Sequence, residues 1–216
     1  MHYLPHGVNL TRFHAVDAAE RRKLRRQLGW PADALIVLFV GRLSREKGVM
    51  ELLEAWRRLA RHDALLVVAG PDMPAHEWNA GPAARAFVET HGLRSSVRFL
   101  GPCAEPAPLY GASDIFSQPS HFEAFGISAI EAMASRLAVV ASDVGGLRDF
   151  LAHESNALLH APHDAAGLAL ELERLLDDAA LRARLADAGL RTVTERFDEA
   201  RLFARYTQLI ENVAAG

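Results

Sequence analysis

Gly41-Arg42-Leu43-Ser44-Arg45-Glu46-Lys47-Gly48 follows an apolar run and places the cations Arg42 and Lys47 next to its two flanking glycines. Far downstream, Glu123-Ala124-Phe125-Gly126-Ile127-Ser128-Ala129-Ile130-Glu131 sets two carboxylates eight positions apart. A guanidinium grips phosphate oxygens bidentately, and a lysine adds a mobile point charge. A carboxylate accepts hydrogen bonds from sugar hydroxyls. Cations for a diphosphate and carboxylates for diols together suggest a nucleotide-sugar site. Taken alone, a solvated Arg/Lys turn and a surface helix carboxylate satisfy the same patterns.

The elements that must position these groups are legible around them. Ala34 to Val40 is a short, β-branched-rich apolar run ending at Gly41, which reads as a buried parallel strand entering a glycine turn. After Gly48, the apolar residues Val49, Leu52, Leu53, Trp56 and Leu59 recur at helical spacing. Arg42 and Lys47 therefore sit in a strand-to-helix loop, where ligands of doubly wound sheets bind. Ser113 to Ser120 reads as a second strand and its loop, and Phe125 to Ala134 as a helix with apolar Ile127, Ile130 and Met133. Glu123 would then precede that helix and Glu131 lie about two turns along it. The N–H groups of Phe125, Gly126 and Ile127 suit an anion or a sugar oxygen, and Gly126 admits close approach to the backbone. Glu123 would take hexose hydroxyls and Glu131 a second diol such as a ribose.

At these residues the chain resembles the donor-binding, C-terminal half of a group 1 (family 4) retaining glycosyltransferase of the GT-B fold. Glu123 and Glu131 match the family's two glutamates separated by seven residues, and Arg42 and Lys47 its glycine-flanked cations. Leu4-Pro5-His6-Gly7-Val8-Asn9 resembles the segment entering the second domain. Val97 to Gly101 followed by Tyr110, and Val139 to Ser142 with Gly145-Gly146, fit later strands and turns. Departures are Arg136 in place of a glycine, Ala138 in place of a proline, Asp149 in place of a glutamate and His6 in place of an asparagine. The first two imply altered loop geometry more than lost binding.

The resemblance implies glycosyl transfer from a UDP-, GDP- or ADP-sugar with retention at the anomeric carbon and without a cofactor. Arg42, Lys47 and Glu123 would be catalytic. Gly41, Ala124, Phe125, Gly126, Ile127 and Glu131 would bind donor, and backbone near Gly101 to Ala104 would read the base. Two other readings share the features: a GT-B-type nucleotide-sugar epimerase, and a non-catalytic module that binds a nucleotide sugar or a partner through the same cleft. Failure to bind any nucleotide would favour the module.

With 216 residues and 50% hydrophobic composition, the chain can bury one full core. Alternating strands near 35–41, 64–70, 96–100, 113–118, 137–142 and 156–160 with helices predict an α/β, Rossmann-like doubly wound parallel sheet of about six strands, covered on both faces and forming one half of a GT-B fold. The expected organisation is an interdomain linker over 1–16, a donor-binding domain over 17–198 and a helix over 199–216 crossing back to an absent N-terminal acceptor-binding domain. Glu199 to Asn212 reads as amphipathic, and the Leu168, Leu172, Leu175 and Leu176 stripe as core. The irregular segment from Gly70 to Pro82, with Trp78, reads as mobile.

A formal charge of −3 gives no general attraction to nucleic acid. The cationic run Arg21 to Arg26 reads as a solvated helix face. No secretory signal opens the sequence, and its apolar runs fall short of the ~20 residues that span a bilayer. The expectation is a cytoplasmic domain, with any peripheral membrane contact, and contact with a sugar, lipid or small-molecule acceptor, left to the absent half. Cys103 alone excludes an intrachain disulfide and reads as an ordinary loop residue. Ten histidines form no His-Glu-any-any-His pattern, so no metal site is expected from local spacing. His121, two residues before Glu123, is the one histidine placed to touch a donor, and a solvated loop residue satisfies the same position.

Overall fold

The apolar run after Ala34 forms strand β1, Leu35–Val40, and its four central residues are buried. That continuous burial follows from helices lying on both faces of the sheet. In the computed structural model, which describes residues 5–214, six strands pair in parallel in the order β3-β2-β1-β4-β5-β6. The others are β2 (Ala64–Ala69), β3 (Val97–Gly101), β4 (Ile115–Gln118), β5 (Ala138–Ser142) and β6 (Leu158–His160). The expected strands are therefore present, each with bounds that differ by one or two residues. The sheet winds outward in both directions from the β1/β4 pair, so loops leaving these two strands diverge and open a crevice between them.

Alternate residues of β1 feed two cores. Ile36 and Leu38 join Val67, Phe116 and Val139 on one face. Val37 and Phe39 join Leu66, Val68, Ile115 and Val140 on the other. The first face is covered by α4 (Ala107–Ala112), α5 (Ile127–Ala134) and the end of α7 (Ala179–Arg196). The second is covered by α2 (Val49–Leu59), α3 (Gly81–Thr90) and α6 (Ala165–Asp177), where Leu168, Leu172, Leu175 and Leu176 are buried as their spacing requires. Each such leucine contributes about 1.5–3 kcal/mol by leaving water.

Local chemistry sets the helix ends. Asp17 caps α1 (Ala18–Leu28) by accepting from the N–H groups of Ala19 and Glu20, and Gly29 ends it in the left-handed conformation. Asp164 caps α6 through Ala166 and Gly167. The last helix, α8 (Glu199–Ala214), leaves Phe203 and Ile210 exposed. No helix among the described residues is long and apolar enough to cross a membrane.

Two expectations require correction. The cationic run on α1 is not wholly a solvated face, because Arg25 is 5% exposed and its guanidinium lies 2.7 Å from Asp114 Oδ2. Arg25 also donates to the carbonyls of Ala112, Ala32 and Ala34, and Arg21 reaches Asp114 Oδ1 at 2.8 Å. Asp114 Oδ2 in turn accepts the N–H of Ile36, so this network clamps α1 to the start of β1 and β4. Arg22, Lys23 and Arg26 do face solvent. The Gly70 to Pro82 segment lacks regular structure up to the start of α3, yet it is tied down: Leu43 N–H donates to Pro71 O, Arg45 N–H to Trp78 O and Ala80 N–H to Leu43 O.

Candidate donor site

The two motifs meet because two backbones touch. Gly48 has φ +71°, and a Cβ there would lie 1.9 Å from Pro119 O, so only glycine lets the β1–α2 loop press against the loop leaving β4. A short 3₁₀ turn, Arg45–Lys47, then aims Lys47 into the crevice. Lys47 Nζ stands 2.7 Å from Glu123 Oε2, and both side chains are largely buried, at 21% and 12% exposed. Gln118, the last residue of β4, donates from Nε2 to the same carboxylate oxygen at 2.6 Å. Glu123 Oε1 takes no hydrogen bond among the described residues and remains available as an acceptor.

Lys47, Gln118, Glu123, Ala124, Phe125, Gly126, Ile127, Ser128 and His6 line one cavity of about 380 Å³. The helix α5 begins at Ile127, two residues later than the composition suggested, because Gly126 adopts a left-handed conformation, φ +97°. The N–H groups of Phe125, Gly126, Ile127 and Ser128 make no hydrogen bond among the described residues. They form a short stretch of free donors at the positive end of a helix, an arrangement that favours anions. Ile130 and Met133 are buried as expected, whereas Ile127 is 50% exposed at the rim.

A second glycine pair holds this loop from below. Gly146 N–H donates to Glu123 O at 2.8 Å. A Cβ on Gly145 would lie 2.2 Å from Glu123 O, and one on Gly146 would lie 2.1 Å from Ala124 O. The Gly145–Asp149 turn after β5 is thus a seat for the Glu123–Phe125 backbone. The sequence marked Gly145-Gly146 as a turn but carried no sign of what the turn supports. Gln118, His6 and Tyr110 were likewise not assigned to the site. A position at the carboxyl end of a central strand was the signal for Gln118.

Glu131 lies on α5 outside the cavity lining, where it accepts a 2.8 Å hydrogen bond from the Tyr110 hydroxyl. Burial pushes its carboxyl above the usual range, opposed by that hydrogen bond and by the charge of Arg12. Tyr110 is fully buried, and burial first, then the Glu131 charge, pushes its hydroxyl well above its ordinary value.

The remaining site residues are placed differently. Arg42 is 51% exposed and paired with Glu46 Oε1 at 2.6 Å, and it is not part of the cavity wall. Gly41 does not line the cavity; its backbone packs against the end of β2, where a Cβ on Gly70 would lie 1.8 Å from Gly41 O. His121 does not line the cavity: its backbone N–H donates to Glu46 O, and its ring packs against His163. Cys103 is exposed in the β3–α4 loop, as read.

The family described as "Glycosyl transferases group 1" matches residues 20–192. D-inositol 3-phosphate glycosyltransferase of Xylanimonas cellulosilytica is 37% identical over 207 residues, covering 93% of this chain and 49% of that protein. The chain therefore spans about half the length of the curated relatives it matches. Among solved structures, sucrose-phosphate synthase from Thermosynechococcus elongatus superposes with a TM-score of 0.88 at 34% identity, covering 98% of this chain and 52% of that one. Anabaena HepE, solved with UDP and glucose, gives 0.87 at 25% identity, covering 95% and 55%. With its six-stranded Rossmann-like sheet and a family match across most of its length, the chain belongs to the group 1 glycosyltransferases of the GT-B fold.

Proposed function

We propose that this chain is the donor-binding half of a retaining, metal-independent glycosyltransferase that moves a sugar from a nucleoside diphosphate sugar to an acceptor. The observation that carries the reading is the Lys47–Glu123 pair in a cavity whose far wall is a row of free N–H groups. In the reaction the glycosidic bond to the β-phosphate breaks, and negative charge develops on the departing diphosphate. Lys47 and the N–H groups of Phe125 to Ser128 are preorganised to receive that charge. Arg42 joins them by exchanging its half-exposed pairing with Glu46 for a phosphate. Glu123, anchored through one oxygen by Lys47 and Gln118, offers the other to sugar hydroxyls. Glu131, braced by Tyr110, takes the ribose diol, and backbone at Gly101 to Ala104 reads the base.

The division proposed is a linker over 1–16, a donor domain over 17–198 and a crossing helix over 199–216, with acceptor contacts supplied by an N-terminal half on the cytoplasmic side, peripheral to a membrane. The HepE complex holds UDP and glucose, which favours a uridine donor here. The names of the curated relatives favour a polyol phosphate as acceptor. Calorimetric titration with UDP, GDP and ADP tests the donor assignment: the reading expects saturable binding of one nucleotide, and transfer activity only when the chain is joined to an acceptor-binding half. Nucleotide binding with no transfer or hydrolysis by the joined protein would instead support a non-catalytic module.

A further inference from the structure

We propose that Glu51, His121 and His163 form a binding site for a divalent cation of the zinc class. Three separate elements bring them together: the first turn of α2, the loop after β4 and the turn before α6. One ligating atom from each lies within 4.8 Å of the other two. The sequence concealed the cluster because its members are far apart in the chain, and local spacing was the only metal signature available there.

The chemistry of the cluster is that of a ligand set more than of an ion pair. His121 Nε2 is buried and stands 3.0 Å from Glu51 Oε1, yet it lacks the alignment of a hydrogen bond and has no other partner among the described residues. A buried imidazole nitrogen without a partner is costly in a native protein. The His163 ring faces that of His121, with centroids 3.7 Å apart and planes tilted by 40°. Two imidazoles and one carboxylate suit zinc, cobalt or nickel, whereas magnesium and calcium prefer all-oxygen shells. Zinc–ligand distances of about 2.0–2.1 Å require tighter convergence than the three donors show. His163 is exposed, and its imidazole would move inward on metal binding.

Such a cation would act as a clamp and not at the reacting centre. His121 N–H donates to Glu46 O at 2.7 Å, next to Lys47, so fixing the His121 ring fixes the loop behind the Lys47–Glu123 pair. The inference does not rest on the proposed reaction.

The test is titration of the chelator-treated protein with Zn²⁺ against a chromophoric competitor, repeated with Co²⁺, whose visible absorption reports tetrahedral nitrogen and oxygen ligands. One equivalent is expected to bind, with affinity reduced at least about tenfold in His163→Ala and Glu51→Gln and unchanged in His91→Ala. Zn²⁺ should also raise the melting temperature of the parent protein but not that of His163→Ala. Because His163 is exposed, that variant is expected to fold, and its circular dichroism and melting curve without metal check this. Absence of binding in the parent protein, or equal affinity in all three variants, would overturn the proposal.

Discussion

Lys47 Nζ and Glu123 Oε2 meet at 2.7 Å across the β1/β4 crevice, so the cation and the carboxylate that the sequence offered to different parts of a ligand are partners of each other. Each holds the other in a fixed rotamer, and a ligand meets a preorganised pair. Removing one partner of a fully buried pair typically costs 3–5 kcal/mol. Here the pair borders a cavity, and Lys47→Met or Glu123→Gln should each destabilise the fold by about 1–2 kcal/mol. Urea unfolding of the two single variants and the double variant should give a coupling energy of about 1 kcal/mol. A coupling near zero would mean that the contact holds nothing in place.

The glycine seat beneath Glu123 should separate strain from function. Gly29 and Gly145 both have positive φ, +65° and +43°, but a Cβ at Gly29 meets nothing within 4 Å while one at Gly145 meets Glu123 O. Gly29→Ala should cost about 1 kcal/mol and leave nucleotide affinity unchanged. Gly145→Ala should cost more and weaken nucleotide binding, because the Glu123–Phe125 backbone must move. Equal nucleotide affinities in the two variants would disconnect the seat from the site.

Glu131 gives the pH dependence its sign. Its folded carboxyl is raised by burial, so the folded state holds the proton more tightly than the unfolded chain. The contribution is fully present below the unfolded value of 4.5 and is lost as pH rises through the folded value. Glu131→Gln, which can still accept from Tyr110, should gain stability relative to the parent protein as pH rises from 4 toward 7. A stability difference that does not change with pH would show that burial does not burden the carboxylate.

Asp114 carries the clamp on α1. Asp114→Ala leaves the buried Arg25 guanidinium without its carboxylate and the Ile36 N–H without its acceptor, a loss of about 3–5 kcal/mol. Lys23→Ala, in the same cationic run but exposed, should change stability by less than about 0.5 kcal/mol. Chemical denaturation of the two variants checks the contrast.

The strands could be read because a parallel sheet covered on both faces demands continuous apolar runs such as Leu35–Val40. The helices α2 and α6 could be read from their leucine stripes. The meeting of Lys47 with Glu123 was not readable in detail, because it depends on Gly48 touching Pro119, a contact that leaves no periodic trace. Arg25 looked like its exposed neighbours because burial of a single cation is decided by one distant carboxylate, Asp114. The direction of His121 was open in the sequence because side-chain direction after a turn depends on the turn's own dihedral angles.

The most direct test of the account is isothermal titration of this chain with UDP, comparing the parent protein with Lys47→Ala and Glu131→Ala. Saturable one-to-one binding, weakened at least about tenfold (about 1.4 kcal/mol) by each substitution in variants that remain folded, is the predicted result. Binding of UDP with the same affinity in all three proteins would contradict it and place the nucleotide elsewhere on the molecule.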